Sequence, residues 1–475
     1  SLPIRNFGVS GRATYNYDSR YFFEFNFGYN GSERFSAQNR YGFFPSAGLA
    51  WAISNEPFFK EWTTVVSKLR LRANLGLVGN DAIGSPTDRF FYLSEVNMNE
   101  AGFGYQFGTT GGYGGSGYSV RRYANPAITW ETSRNTTFGL ELGLWSKFNL
   151  IAEYFLDHRY NILMNRASIP STMGLQAMQR ANVGEVRSRS TDIQMDYSNT
   201  FGKDFYLSFR GNFTFSQNRY EAFEEPAYAE PWLYRKGNST SQRWGYIAER
   251  LFVDDHEVQS SPVQNFGSFE TRGGDIKYRD INGDGVINSL DQVAIGFPSV
   301  PEIVYGFGFS SRFKAVDFSA FFQGSARSSF WIDVNATSPF INYRSAQEIS
   351  DGFLNGRQLQ NQLLNVYANS HWSEENRDLY AVWPRLSSTY NGNSNQNSTW
   401  FMRNGAFLRL KSVELGYTFP KKITQRINVS NMRFYGSATN LLTISAFKYW
   451  DVEMAGDGLG YPVQRVINLG LQLDF

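Results

Sequence analysis

Residues 21–30 read Tyr21-Phe22-Phe23-Glu24-Phe25-Asn26-Phe27-Gly28-Tyr29-Asn30. Every second residue, from Tyr21 through Phe23, Phe25 and Phe27 to Tyr29, falls on one face, with Glu24, Asn26, Gly28 and Asn30 on the other. That period of two belongs to a β-strand, whose successive side chains point to opposite sides. A turn at Asp18-Ser19-Arg20 separates it from a second alternating run, in which Phe7, Val9, Ala13, Tyr15 and Tyr17 oppose Ser10, Arg12, Thr14 and Asn16. Two such runs around a short polar turn predict an antiparallel hairpin. A soluble sandwich would alternate as well, but five aromatics in succession on one face suit a lipid-facing surface bounded by aromatic girdles better than a close-packed core.

The pattern continues through Pro45, Ala47, Leu49, Trp51 and Ile53, through Leu69 to Leu77, and through Phe138 to Leu144. It returns at Phe205 to Phe215, at Tyr305 to Phe309 and at Val316 to Phe322. The expected total is about fourteen segments of about ten residues each, the length a tilted strand needs to span a bilayer. Tight hairpins at Lys147-Phe148 and Gly202-Lys203-Asp204 alternate with long polar insertions, as periplasmic turns alternate with extracellular loops. The last run places Ile467, Leu469, Leu471, Leu473 and Phe475 against Asn468, Gly470, Gln472 and Asp474. It resembles the final strand of outer-membrane barrels, whose terminal aromatic is read by the insertion machinery before the strand closes the barrel.

Composition agrees. Aromatics are 17% of the 475 residues, with 42 Phe, 28 Tyr and 44 Gly, a bias toward strand and turn formers. No run of about 18 apolar residues could form a membrane-spanning helix, and a mean hydropathy of −0.41 does not oppose a barrel, whose alternating strands average out near neutral. The 45 basic and 43 acidic residues leave a net charge of +2, which points to no nucleic-acid partner. With no cysteine, disulfides and thiolate metal sites are excluded, in keeping with an oxidising envelope. The start, Ser1-Leu2-Pro3-Ile4, has no signal-peptide pattern, so the expectation is a processed chain or one that begins inside a longer protein.

The insertions run through about Asn80 to Ala124, Glu221 to Gln242, Asp254 to Ser299 and Ser328 to Thr399. Their low-complexity tracts, Gly111-Gly112-Tyr113-Gly114-Gly115 and Asn391-Gly392-Asn393-Ser394-Asn395, predict flexible loops. One segment carries chemistry. Residues 280–291 fit the calcium-loop pattern D-x-[DN]-x-[DN]-G with an acid at position twelve. Asp280, Asn282 and Asp284 would supply side-chain oxygens, Val286 its carbonyl and Asp291 a carboxylate, with Asn288 acting through water, and Gly285 would permit the sharp turn. The loop resembles a dockerin repeat, which also ends on Asp, and the expectation is a structural Ca2+ clip. The competing reading is an Asx-rich turn whose side chains bond their own backbone.

Several short blocks resemble the SusC-like family of TonB-dependent outer-membrane transporters of Bacteroidetes. They are Tyr41-Gly42-Phe43-Phe44-Pro45-Ser46, Gly79-Asn80-Asp81, Asn125-Pro126 with Thr129-Trp130-Glu131, residues 273–280 from Gly273 to Asp280, Trp383 to Ser387, Phe407 to Lys411 before Leu415-Gly416-Tyr417, and Asn440-Leu441. The resemblance implies an all-β fold, part of a 22-stranded transmembrane antiparallel β-barrel with long extracellular loops. It further implies TonB-dependent import of oligosaccharides or oligopeptides, of which oligosaccharide is the expectation, with a SusD-like lipoprotein as partner. Membrane lipid, TonB through a segment outside this chain, and a dimer of transporter–lipoprotein pairs complete the implied contacts. The plug and early strands of that family are absent from this sequence, so residues 1–475 are expected to be the C-terminal portion of the barrel.

A passive diffusion porin and an adhesive or structural barrel would fit the periodicity equally well. Catalysis is not expected, because His158, His256 and His371 lie in no nucleophile or zinc motif. Trp232, Trp244, Trp331, Trp372, Trp383 and Trp400 lie in or beside the insertions, where their rings could stack on a substrate or pack the loops.

Overall fold

The computed structural model describes residues 5–84, 89–267, 269–340, 363–388, 391–456 and 458–475. Among these, thirteen strands form an antiparallel sheet. The chain divides into two compact units, one comprising Ser1–Ser198, Asn212–Ala227 and Tyr234–Thr240, the other Asn199–Gly211, Tyr228–Leu233 and Ser241–Phe475.

In the first unit β1 (Asn6–Tyr17), β2 (Tyr21–Ser32), β3 (Tyr41–Ala52), β4 (Val66–Asn80), β5 (Glu131–Leu144), β6 (Phe148–Asn165) and β7 (Arg180–Phe201), whose last three residues fall in the second unit, each pair with the next. The expected turn at Asp18-Ser19-Arg20 is present, with Asp18 and Ser19 both left-handed at φ 49° and 54°. The next one lies slightly earlier than expected, at Trp145 and Ser146, and Phe148 already opens β6.

Register shows what the alternation is for. Tyr15, Phe23, Leu49, Ala73, Phe138 and Tyr154 are mutual partners across six strands, so one face is an unbroken apolar row. The opposite face carries ion pairs, including Lys68 with Glu141 at 2.7 Å and Arg72 with Glu153 at 2.7 Å. A slip of one residue would exchange the two faces. Two aromatic clusters bracket the apolar face: Phe7, Tyr29 and Tyr41 at one end, Tyr17, Tyr21 and Trp51 at the other. Eight residues separate Tyr21 from Tyr29, about 26 Å of strand and about 20 Å of height at a tilt near 40°, close to the apolar band of an outer-membrane barrel, about 25 Å.

A small core of Phe35, Ile83, Phe91, Ile128 and Trp130 fastens the first insertion to this unit. Phe44 reaches it across Gly79, with its ring 5.3 Å from that of Trp130. A Cβ on Gly79 would lie 1.9 Å from the Phe44 ring, which is why that block must carry glycine. The Gly-rich tract of this insertion is not a plain loop either. Gly114 and Gly115 belong to Tyr113–Arg122, which pairs with Glu95–Phe107 in a two-stranded hairpin.

β8 (Phe205–Ala222) has its first half in the second unit and its second half in the first. The second unit continues with β9 (Ile303–Phe313), β10 (Val316–Ala326), β11 (Phe407–Thr418), β12 (Asn431–Ser445) and β13 (Val466–Asp474), again each paired with the next. Its apolar face is the row Phe313, Val316, Tyr417, Phe434, Leu471, all exposed. Along β13, Ile467 is 69% and Leu469 77% exposed, which in water would be a large uncompensated apolar surface. Arg433 pairs with Asp317 and, at 2.6 Å, with Glu414.

Candidate functional site in the loop layer

The insertions of the second unit fold on one another. Tyr246, Leu251, Ile276, Tyr278, Ile287, Ile332, Tyr367, Trp372, Ala381, Trp383 and Phe401 form a continuous buried core. The expectation of flexible loops is therefore corrected for Asn391 to Ser394, which are buried. The reason is chemical. The Asn393 side chain accepts from the Ile276 N–H and donates to its carbonyl, both at 2.9 Å, so its amide stands in for a neighbouring strand. Asn391 donates to Asp275 at 2.9 Å. Part of the last insertion, residues 341–362, lies outside the described residues.

Two charged knots tie this layer. Asp275 is fully buried and accepts from Arg385 at 2.7 Å and from the backbone N–H of Arg272 at 2.9 Å. Burial pushes its carboxyl up, against the downward pull of Arg385. Glu257 accepts from Arg250 at 2.5 Å, from Lys277 at 2.9 Å and from the Val253 N–H at 2.9 Å. Burial again acts upward, but these donors outweigh it and hold the carboxyl at about 2.

The calcium-type loop lies beside these knots. Asp280 accepts from the N–H groups of Gly283 at 2.7 Å and Gly285 at 2.8 Å, and Asp284 from that of Val286 at 2.8 Å. Asn282 bonds Asp284 through both its amide nitrogen and its oxygen. Asp291, fully buried, accepts from Ile281 and Asn288 N–H groups at 2.8 Å each and so joins the two ends of the loop. Asn288 donates to the Val286 carbonyl at 3.4 Å. Among the described residues no group of three or more His, Asp or Glu side chains is assembled to hold a metal ion. The donor chemistry nevertheless fits a hard cation, since each carboxylate oxygen keeps a lone pair beyond its backbone bond.

The tryptophans divide between packing and surface. Trp372 and Trp383 are core residues, and Trp400 packs against them. Trp244 donates to the carbonyl of Trp232, and Trp232 to that of Leu290. Trp331 differs, because it lines a cavity of about 560 Å³ at the meeting of the insertions, together with Arg243, Asp333, Gln396, Asn397 and Gly456. Nothing in the sequence pattern marks this cavity, since its walls come from five separate segments.

No family model matches the chain. It is 28% identical over 494 residues to the TonB-dependent receptor SusC of Bacteroides thetaiotaomicron, covering 100% of this chain and 44% of that protein. To the TonB-dependent receptor P3 of Formosa agariphila it is 25% identical over 494 residues, covering 98% and 45%. Over nearly its whole length the chain is similar to SusC-like TonB-dependent receptors. It spans less than half the length of these relatives. The RagAB peptide importer in its open-open state superposes with a TM-score of 0.69 at 20% identity, over 99% of this chain and 47% of that one. The thirteen-stranded sheet thus has the fold of part of a TonB-dependent transporter barrel. The similarity and the fold make this a bacterial outer-membrane protein, and the relatives are named as receptors, not enzymes.

Proposed function

We propose that this chain forms wall and loop layer of a TonB-dependent importer that takes up nutrient oligomers, oligosaccharides or oligopeptides, with a SusD-like surface lipoprotein as partner. The observation that carries the reading is the loop layer with its own hydrophobic core and cavity. A diffusion pore gains nothing from an ordered cavity at its insertions, whereas a receptor must hold its ligand before transport. The solved neighbour named as a peptide importer keeps oligopeptides in view beside the oligosaccharides that the sequence resemblance implies. Pairing of two transporter–lipoprotein units is part of the same reading, as is a Ca2+ ion held by Asp280, Asn282, Asp284, Val286 and Asp291.

Uptake of labelled oligomers by cells expressing the full-length protein tests it. Uptake should be saturable, should stop when the proton-motive force is collapsed, and should be lost when the lipoprotein gene is deleted. Uptake that is linear in concentration and survives uncoupling would establish a passive porin instead.

A further inference from the structure

We propose that the loop-layer cavity is a binding site for a carboxylate carried on a polar oligomer, with Arg243 as its anion-recognising residue. The inference deepens the import reading by giving the ligand a chemical feature. Arg243 lies on the exposed side of a short strand, Arg243–Gly245, with its guanidinium carbon 5.5 Å from the centre of the Trp331 ring. Neighbouring arginines of the layer are committed: Arg250 to Glu257, Arg327 to Glu302, Arg385 to Asp275. Arg243 has no carboxylate or hydrogen-bond acceptor for its guanidinium among the described residues. A guanidinium stacked on an aromatic face keeps its edge donors free, and that planar fork matches a carboxylate in bidentate fashion.

The plate on which Arg243 rests is fixed in advance. Trp331 donates its indole N–H to the Ser398 carbonyl at 3.0 Å, and the Asp333 N–H bonds the Gly456 carbonyl at 2.9 Å. A Cβ on Gly456 would lie 2.6 Å from the Trp331 carbonyl oxygen, so the wall closes only around glycine. Ala455 beside it holds φ 50° and ψ −119°, a conformation L-residues rarely adopt and one that tends to persist at ligand clamps. Preorganised walls lower the ordering cost of binding.

Other groups on the cavity restrict the ligand. Asp333 uses one oxygen to cap the Ala336 N–H, leaving its other oxygen to accept a donor. Gln396 gives its amide nitrogen to the Gly392 carbonyl at 2.8 Å, and its oxygen too is an acceptor. A bare anion would be repelled by Asp333, so the carboxylate must come with donors on the same molecule. Sugar hydroxyls of an acidic oligosaccharide would serve, as would the amide and ammonium groups of a peptide with a free C-terminus.

Calorimetric titration of the full-length, detergent-purified protein separates these sources. The probes are trigalacturonate against its methyl ester, and Ala-Ser-Ala against its C-terminal amide. The expected result is that one acid binds about tenfold or more tightly than its neutral counterpart. Arg243→Met should erase that preference and Arg243→Lys keep part of it, with unchanged hydrogen exchange over residues 246–287 showing that the layer remains folded. Equal binding of acid and neutral probe, no binding of either acid, or a preference that survives Arg243→Met overturns the proposal. An acid preference without energised uptake would leave the site standing and sink the import reading. Energised uptake without any acid preference would do the reverse.

Discussion

The Asp275 carboxylate and the Arg385 guanidinium meet at 2.7 Å although 110 residues separate them, and the acid has no exposed surface. Removing the cation would leave a buried charge without its counter-ion, a loss of about 3–5 kcal/mol. Arg385→Leu should therefore open the loop layer, read as faster hydrogen exchange over residues 246–287 and 372–401. Replacing Asp275 with Asn as well should restore much of the protection. Protection unchanged in the single variant would mean that the pair contributes nothing to the layer.

Acid should loosen the same layer through Glu257. Its folded pKa, about 2, lies below the unfolded value of about 4.3. The contribution is therefore complete above about pH 5 and disappears as pH falls toward 2, and it is a few kcal/mol at most. Limited proteolysis between pH 6 and pH 3 should cut the wild-type layer progressively faster. Glu257→Gln should begin from a weaker layer and show a flatter pH response over that range.

Calcium should act on residues 280–291. In the full-length protein, Ca2+ is expected to slow hydrogen exchange across this segment and EGTA to reverse the change. Asp280→Asn together with Asp291→Asn should abolish the response. If Ca2+ leaves exchange in the wild-type segment unaltered, the loop is an Asx-rich turn held by its own backbone bonds.

Leu471 ends the exposed apolar row of the second unit, opposite Phe434. An arginine there should cost about 2–4 kcal/mol if the position lies near the bilayer midplane. Leu471→Arg should lower the denaturant midpoint in lipid vesicles by that amount, whereas Gln472→Arg, on the opposite face, should change it by well under 1 kcal/mol. Equal effects would contradict the assignment of the lipid-facing side.

Gly79 should tolerate no side chain. Gly79→Val would drive Phe44 out of its contact with Trp130 and detach the first insertion, detectable as increased protease sensitivity near residues 81–128. Pairing this with Phe44→Ala should make the valine nearly harmless to the strand while leaving the insertion loose.

Strands whose two faces differ strongly are legible from the order of their residues, and β2 and β13 are the clearest cases. β7 is harder, because Arg187-Ser188-Arg189-Ser190 has polar residues on both faces and leaves no alternation to read. Its place is set by the ladder to β6. The calcium-type segment stands out because its donors are close together in sequence. The cavity leaves no such mark, because Arg243, Trp331, Gln396 and Gly456 are brought together only by tertiary packing. The Asn-rich tract misleads for a related reason: composition reports that asparagine can bond backbone, but not that the backbone of Ile276 is waiting for it.

That last contact also bears on how the layer assembles. Ile276 and Asn393 are 117 positions apart, and β9 and β10 lie between them. These two strands form a tight hairpin around Lys314 and Ala315, and its pairing brings Ile303 opposite Ala326. Each pair that zips shortens the span the two insertions must close and removes chain entropy in small local steps. Pairing of β9 with β10 thus eases closure of the loop layer, by a modest loop-entropy saving, so a lesion confined to that hairpin is expected to slow the layer's assembly without touching a residue of it.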